Sequence, residues 1–261
     1  MRKMIVGVPV DWLTMEEVIR KIAGFILTGK PHQITTVNPE FIVESRHNND
    51  FRSVLQGADL SLPDGIGIVF AQELNENNPS HSVLVRILSY LAIGIRYMFA
   101  PHTLSYQRIT GVSLTEAILT RAAKEGWKVF FLGAKPGVAV RAARVWLSRH
   151  PALRIVGTSS HNPDNSELIP DITRTKPDVL LVAYGAPKQD LFISRHKIEL
   201  SVPVMIGVGG TFDYVAGEVA QAPPFLRSMG LEWLVRLIRQ PRRWRRIWNA
   251  TVVFSAMVIK N

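Results

Sequence analysis

At 261 residues, 47% hydrophobic and without cysteine, the chain has material for one large core, and disulfides and thiolate metal sites are excluded. Its formal net charge is +10, and residues 221–261 carry +7 of it: seven arginines and Lys260 against one acid, Glu232. Trp233, Trp244 and Trp248 lie in the same segment, a mixture suited to an anionic surface with an apolar layer beneath it, such as phospholipid headgroups, or to the other common polyanion, nucleic acid.

The start MRK is followed too early by Asp11, Glu16 and Glu17 for a signal-peptide apolar core. No apolar run reaches the roughly 20 residues needed to cross a bilayer. The longest, Leu84–Ala100 and Ala250–Ile259, suit interfacial or core helices. Thr14-Met-Glu-Glu17 is a capping box that opens an amphipathic helix ending near Gly29. His32–Val37 reads as a strand, and Asn38-Pro39 supplies an N-cap with proline at the first helical position. Ala58–Leu62 is a short apolar strand stopping at Pro63-Asp64-Gly65. Ser113-Leu-Thr-Glu116 predicts a second capping box. Lys128–Leu132 is a strand that Gly133-Ala-Lys-Pro-Gly137 turns into a helix over Val138–His150. Arg154–Gly157, Val179–Ala183 and Val202–Val208 are further apolar strands. Strands apolar on both faces, alternating with helices, indicate an α/β fold with a parallel sheet covered on both sides. Gln221-Ala-Pro-Pro224 marks the expected boundary between a core over 1–220 and a basic helical appendage over 221–261.

Ligands of open parallel sheets bind at the carboxyl ends of the strands. Five polar or glycine-rich loops fall there: 35–39, 62–67, 133–137, 184–189 and 207–213. Gly133 opens a turn able to present backbone N–H groups to a phosphate, although neither G-x-G-x-x-G nor the P-loop pattern is present. Asp64, held between proline and glycine, is a candidate general base, and the same residue type commonly serves as a turn or cap residue. Thr36 and Asn38 stand at the neighbouring strand end, where a sheet hydroxyl and an N-cap are the plain alternatives. Gly209 and Gly210 let backbone approach a ligand closely, and Asp213 is placed to hold hydroxyls or to cap a helix. Lys188 and Gln189 can contact a phosphate or hydroxyl. The seven histidines are scattered, and no D-x-D pair ends a strand, so neither metal nor cofactor is expected.

Taken in order, TTVNPE (35–40), ADLSLPDGIGIV (58–69), RITGVSL (108–114), VFFLGAKPGVA (129–139), PDVLLVAYGAPKQ (177–189), IGVGGTFDYVAG (206–217) and LEWLVRLIRQPRR (231–243) resemble the WecG/TagA/CpsF glycosyltransferase family. The resemblance implies a Rossmann-like, mostly parallel sheet with helices on both faces. It implies an inverting transfer of a hexose or N-acetylhexosamine, N-acetylmannosamine being the usual type, from a UDP-sugar to a polyprenyl-diphosphate-linked sugar. The setting would be the cytoplasmic face of the plasma membrane. It places the base at Asp64, Thr36 and Asn38 beside the reacting sugar, Gln189 on the donor sugar and Asp213 near the nucleotide. Arg236, Arg239, Arg242 or Arg243 would approach the diphosphate. The chain departs from the family pattern at Thr158–Pro163, at Asp190, where glutamate is frequent, and in a long connection over 75–107 containing Leu84–Phe99. That connection suggests an extra helix facing the membrane, a partner or a second copy of the chain.

Other readings are a non-catalytic assembly protein at a polysaccharide-export site, a nucleic-acid-binding module and a nicotinamide-dependent oxidoreductase. Confinement of the charge to an aliphatic-rich tail weighs against nucleic acid, and the absent dinucleotide fingerprint weighs against the oxidoreductase.

Overall fold

The computed structural model describes residues 1–77, 82–220, 222–223, 225–226 and 229–261, and the backbone alone of His102 and Arg236. The boundary expected at Gln221–Pro224 falls partly outside the described residues. Among these residues β1 (Arg2–Ile5) and β2 (Val8–Asp11) form an antiparallel hairpin. The sequence reading did not foresee it. The hairpin is fastened by Asp11, whose carboxylate accepts from Arg2 at 2.7 and 2.9 Å and from the Ser61 backbone N–H at 2.8 Å.

The main sheet uses β3 (His32–Val37), β4 (Leu60–Pro63), β5 (Lys128–Gly133), β6 (Arg154–Ser159), β7 (Val179–Ala183) and β8 (Val204–Gly207). They are all parallel, in the order β4-β3-β8-β7-β5-β6. Apolar residues on both faces of these strands follow the two-residue period. Val129 and Phe131 pack one way, under α1 (Met15–Thr28), α6 (Gly111–Glu125), α7 (Val138–Arg149) and α10 (Thr211–Val215). Phe130 and Leu132 pack the other way, under α8 (Leu168–Thr175) and α9 (Lys188–Leu200). This is the Rossmann-like arrangement expected.

Two helix starts show how local chemistry sets the elements. Thr14 and Glu17 make the reciprocal capping box, and Gly29 ends α1 in the left-handed conformation. The second box is displaced from its expected place. Thr110 is the N-cap of α6, and Ser113 is its reciprocal partner, with both N–H to Oγ distances at 3.1 Å. Ser113 thus answers a cap instead of being one, because its hydroxyl reaches back to the Thr110 N–H as a glutamate would.

A third packing unit surrounds the β3/β4 end of the sheet. It combines the hairpin with α2 (Pro39–Glu44), α3 (Asn49–Gly57), α4 (Ile66–Asn77), α5 (Val83–Phe99) and the chain's last helix. The basic tail is helical over Glu232–Arg239 and again from Trp244 to Lys260, through a π-helical stretch Asn249–Val253. It is not a free arm. Phe254 is fully buried and Val258 is 1% exposed. The Phe254 ring lies against Gly67 in the first turn of α4, where a Cβ would stand 3.4 Å from the ring and 2.8 Å from Pro39 Cγ. Arg86 of α5 donates to the Val258 and Ile259 carbonyls at 2.8 and 2.9 Å, satisfying groups that a helix end leaves open. The hydrophobic core therefore includes the end of the tail. Replacing a buried phenylalanine by alanine costs about 3–5 kcal/mol, and Phe254→Ala is expected to lower unfolding stability by that amount in urea titration. A loss below 1 kcal/mol would show the helix to be a surface appendage.

Candidate active site

The polar loops named from the sequence do meet at the carboxyl edge of the sheet. Asp64 follows the last residue of β4. Its N–H donates to the Val37 carbonyl at 2.8 Å, and the Ile109 N–H donates to the Pro63 carbonyl at 2.7 Å. The turn is therefore clamped from both sides. The half-buried Asp64 carboxylate points to the amino end of α6, with Oδ2 accepting from the Gly111 N–H at 3.4 Å. A helix amino end attracts negative charge. A Cβ added at Gly111 would lie 3.8 Å from Asp64 Oδ2 and 3.6 Å from both Thr211 Oγ1 and the Val208 carbonyl. The first turns of α6 and α10 thus crowd around this carboxylate.

Thr36 lies one strand away, opposite Leu62, 5% exposed, its hydroxyl 3.4 Å from the Gly207 carbonyl. The Asn38 side chain accepts from the Phe41 N–H at 3.0 Å, so it caps α2 whatever else it does. Arg108 was not singled out from the sequence. Its guanidinium donates two hydrogen bonds to Glu232, at 3.0 and 3.1 Å. Burial disfavours its charge, but Glu232, Tyr97 and Asp64 more than offset this and hold its pKa above the ordinary value. The pair fastens the tail to the segment entering α6.

Farther along the edge, Gly133 ends β5 beside Ala183, whose carbonyl accepts from the Ala134 N–H at 3.0 Å. Lys135, exposed within that turn, acts on Asp213. Burial pushes the Asp213 carboxyl above its usual range, Lys135 opposes the rise, Glu218 adds to it and Arg243 opposes it. One carboxylate therefore lies within electrostatic reach of a cation from the β5 turn and a cation from the tail. Lys135 was passed over in the sequence because a lysine in a glycine turn carries no distinguishing pattern. Arg239 donates to the Ala220 carbonyl at 2.8 Å, Arg246 pairs with Glu40, and Arg242 is exposed. The Arg236 side chain lies outside the described residues. Lys188 reaches sideways to Asn162 Oδ1 at 3.0 Å, which ties it to the loop after β6. Among the described residues no three His, Asp or Glu side chains stand together as a metal would require. Two concavities lie away from this edge, one between α4 and α5 and one beneath α9. Convergent polar groups mark the site, not depth.

Gln189 has a job inside the protein. It is 2% exposed, and its Oε1 accepts from the Gly185 N–H at 3.1 Å and the Gly209 N–H at 3.0 Å. One oxygen thus fixes the turn after β7 to the turn after β8. The amide fits because residue 207 lacks a side chain: a Cβ there would stand 2.4 Å from Gln189 Nε2. The Gly209 and Gly210 backbone is positioned by this contact.

Asp190 is fully buried, and neither carboxylate oxygen has a hydrogen-bond partner at ordinary geometry. Burial raises its pKa from 3.8 to about 7, with the neighbouring Gln189 amide and its own backbone N–H only partly opposing. The folded chain then holds a proton that the unfolded chain releases, so stability falls as pH rises from about 4 to about 7. Asp190→Asn is expected to flatten the pH dependence of urea midpoints across that interval. An unchanged slope would mean that Asp190 is already ionised in the fold.

Comparison with known proteins places this geometry. The model of the Glycosyl transferase WecG/TagA/CpsF family matches residues 3–88 and 89–261. An N-acetylglucosaminyldiphosphoundecaprenol N-acetyl-beta-D-mannosaminyltransferase of Bacillus spizizenii is 33% identical over 226 residues, covering 86% of this chain and 78% of that protein. A Bacillus subtilis protein of the same description is 30% identical over 239 residues, covering 91% and 80%. A parallel sheet whose polar strand-end loops match the family motifs, and a family match across nearly the whole length, make this chain a member of the WecG/TagA/CpsF glycosyltransferase family.

Proposed function

We propose that the protein transfers an N-acetylmannosamine-type sugar from a UDP-sugar to a polyprenyl-diphosphate-linked acceptor, inverting the anomeric configuration. It would do so as a peripheral enzyme on the cytoplasmic face of the plasma membrane, in cell-surface polysaccharide synthesis. The acceptor class comes from the relatives, whose names specify an undecaprenyl-diphosphate-linked sugar. The observation that carries the chemistry is the clamped, half-buried Asp64 carboxylate at the strand edge, beside Thr36 and the α6 amino end.

Asp64 accepts the proton of an acceptor hydroxyl while that oxygen forms a bond to the donor's anomeric carbon. The bond from that carbon to the diphosphate oxygen breaks in the same step, and UDP leaves with the electron pair. One displacement from the opposite face inverts the centre. Negative charge grows on the diphosphate, and fixed cations and N–H donors aimed there lower the barrier most. Lys135, Arg243, Arg239 and Arg242 supply charge from two sides, and Arg236 lies in the same helix as Arg239. Arginine forms paired hydrogen bonds to phosphate, so the step is proposed to proceed without a metal. Thr36 and Asn38 border the sugar, Asp213 borders the nucleotide, and Lys188 borders the opening. Gln189 acts on the donor through the Gly209–Gly210 backbone it holds.

The tail brings this site to its lipid-borne substrate. Arg242, Arg243, Arg245 and Arg246 are exposed beside Trp244 and Trp248, and no helix among the described residues is long and apolar enough to cross a membrane. General-base catalysis typically contributes about 10²–10⁴-fold. Asp64→Asn is expected to depress turnover with UDP-N-acetylmannosamine and a short-chain lipid-linked acceptor by that factor, leaving UDP affinity within about twofold. Unchanged turnover would remove Asp64 from the base role, and an axial-to-axial or equatorial-to-equatorial outcome in product NMR would remove the single displacement.

A further inference from the structure

Helix α5 carries two apolar stripes, and only one has a partner. Arg86, Tyr90, Ile93 and Tyr97 form the inward stripe, at spacings of four, three and four residues. Leu84, Leu88, Leu91, Ile95 and Phe99 repeat the same spacing on another face, and they are 65, 59, 58, 59 and 83% exposed. Val83, Val85, Ile87 and Met98 broaden that face. A helix on a globular protein needs one apolar stripe to hold it, so the second is surplus to folding. It is also uncharged. The two arginines of α5 are both engaged elsewhere: Arg86 holds the end of the last helix, and Arg96 binds Glu73 and the Thr103 carbonyl.

The tail is fastened to the same helix. Arg86 meets Val258 and Ile259, and Tyr90 meets Ser255 at 3.1 Å. Four residues forward along α5 is thus about four residues back along the last helix, so the two run antiparallel. The last helix continues without a break from the stretch Trp244–Val253, which carries the tail's exposed indoles. There Trp244, Trp248 and Val252 are 56, 53 and 45% exposed, and Arg242, Arg243, Arg245 and Arg246 are exposed with them.

We propose that α5 is a bilayer-inserting element. Its Leu84–Phe99 stripe would lie flat in the headgroup–acyl boundary of an anionic membrane, with the indoles at the interface and the arginines on the phosphates. This rests on the membrane part of the proposed function and extends it: the apolar insertion comes from α5, and the basic tail supplies the electrostatic attraction. Charge decides the occupant. A second copy would bring another arginine-rich tail against this one, whereas anionic lipid complements it. An apolar face fastened to a segment rich in arginine and tryptophan matches a helix lying in a membrane interface. The 17-residue length of α5 suits a helix lying along the surface. Insertion would also orient the catalytic edge. Tyr97 lies close against Gly230 at the start of the tail, and Phe254 lies against Gly67, three residues beyond Asp64.

The absence of cysteine permits a direct test with the full chain. Leu91→Cys and, as a control remote from this face, Glu199→Cys are labelled with an environment-sensitive NBD dye. They are mixed with phosphatidylglycerol vesicles and with phosphatidylcholine vesicles. The expected result is a blue shift at position 91 with phosphatidylglycerol and none at position 199. Leu88→Glu/Leu91→Glu, its fold checked by circular dichroism, is expected to sediment with phosphatidylglycerol vesicles at least about tenfold less, each buried leucine being worth roughly that factor. Its transfer to a water-soluble acceptor should stay within about twofold of the parent's, since neither residue borders the site. Vesicle binding with the label at 91 still in water would overturn the proposal. So would a shift at 91 that appears without vesicles and tracks a dimer in ultracentrifugation. Absence of transfer in the parent chain, with the blue shift intact, would instead strike the proposed enzymology.

Discussion

The contact between Phe254 and the first turn of α4 organises this molecule. It joins the last helix to the strand–turn–helix unit that carries Asp64, where residue 67, a glycine, leaves room for Pro39 close by. Around it, Arg86 binds the final carbonyls of the tail, and Tyr90 meets Ser255. Without this packing the basic segment would be a tethered polycation, its arginines averaged over a wide volume. With it, the arginines are held at a defined edge of the sheet. The fastening is hydrophobic and largely insensitive to salt, while the function proposed for the segment is electrostatic and strongly salt-sensitive.

The ion pair between Arg108 and Glu232 works differently. Both side chains are only partly exposed, at 19 and 28%. Desolvation therefore consumes much of the Coulombic gain, and the pair contributes geometry more than stability. Glu232 is the only acid in the basic segment. It meets the arginine that precedes α6, whose own charge is favoured by Asp64. The Asp64 carboxylate, the Arg108 guanidinium and the tail acid form an alternating series, in which each charge is opposed by its neighbour.

Gln189 and Asp190 illustrate adjacent residues with opposite accounts. Gln189 satisfies two backbone donors in two loops with one oxygen, and the backbone after β8 takes its position from that contact. Asp190, one residue later, is buried without such partners and favours its neutral form. Unsatisfied buried polar groups are rare because they are destabilising. Their retention where a strand-end loop is anchored fits a tendency of such sites to accept local cost for fixed geometry.

The sequence by itself determined the fold class, because strands apolar on both faces and alternating with helices have few solutions other than a covered parallel sheet. It also determined the loop set, since Asp64 follows β4, Gly133 ends β5 and Gly209 and Asp213 come just beyond β8, and the cap at Asn38, which is a local hydrogen bond. The family followed from the same ordered motifs. The register of the second capping box was misplaced by three residues, because Ser113 and Glu116 fit the usual serine–glutamate pattern while the actual cap, Thr110, takes a serine as its partner. Tertiary structure alone decided the rest. The β1–β2 hairpin needs Asp11 to reach Ser61, the Gln189 contact needs space left by Gly207, and Asp213 gains Lys135 and Arg243 as neighbours from residues far along the chain. The tail's attachment depends on Phe254 meeting Gly67, residues far apart along the chain. Local pattern encodes backbone hydrogen bonding and periodicity, both short-range quantities. Which side chains share a cleft depends on how the layers stack, and that is fixed only when the core closes.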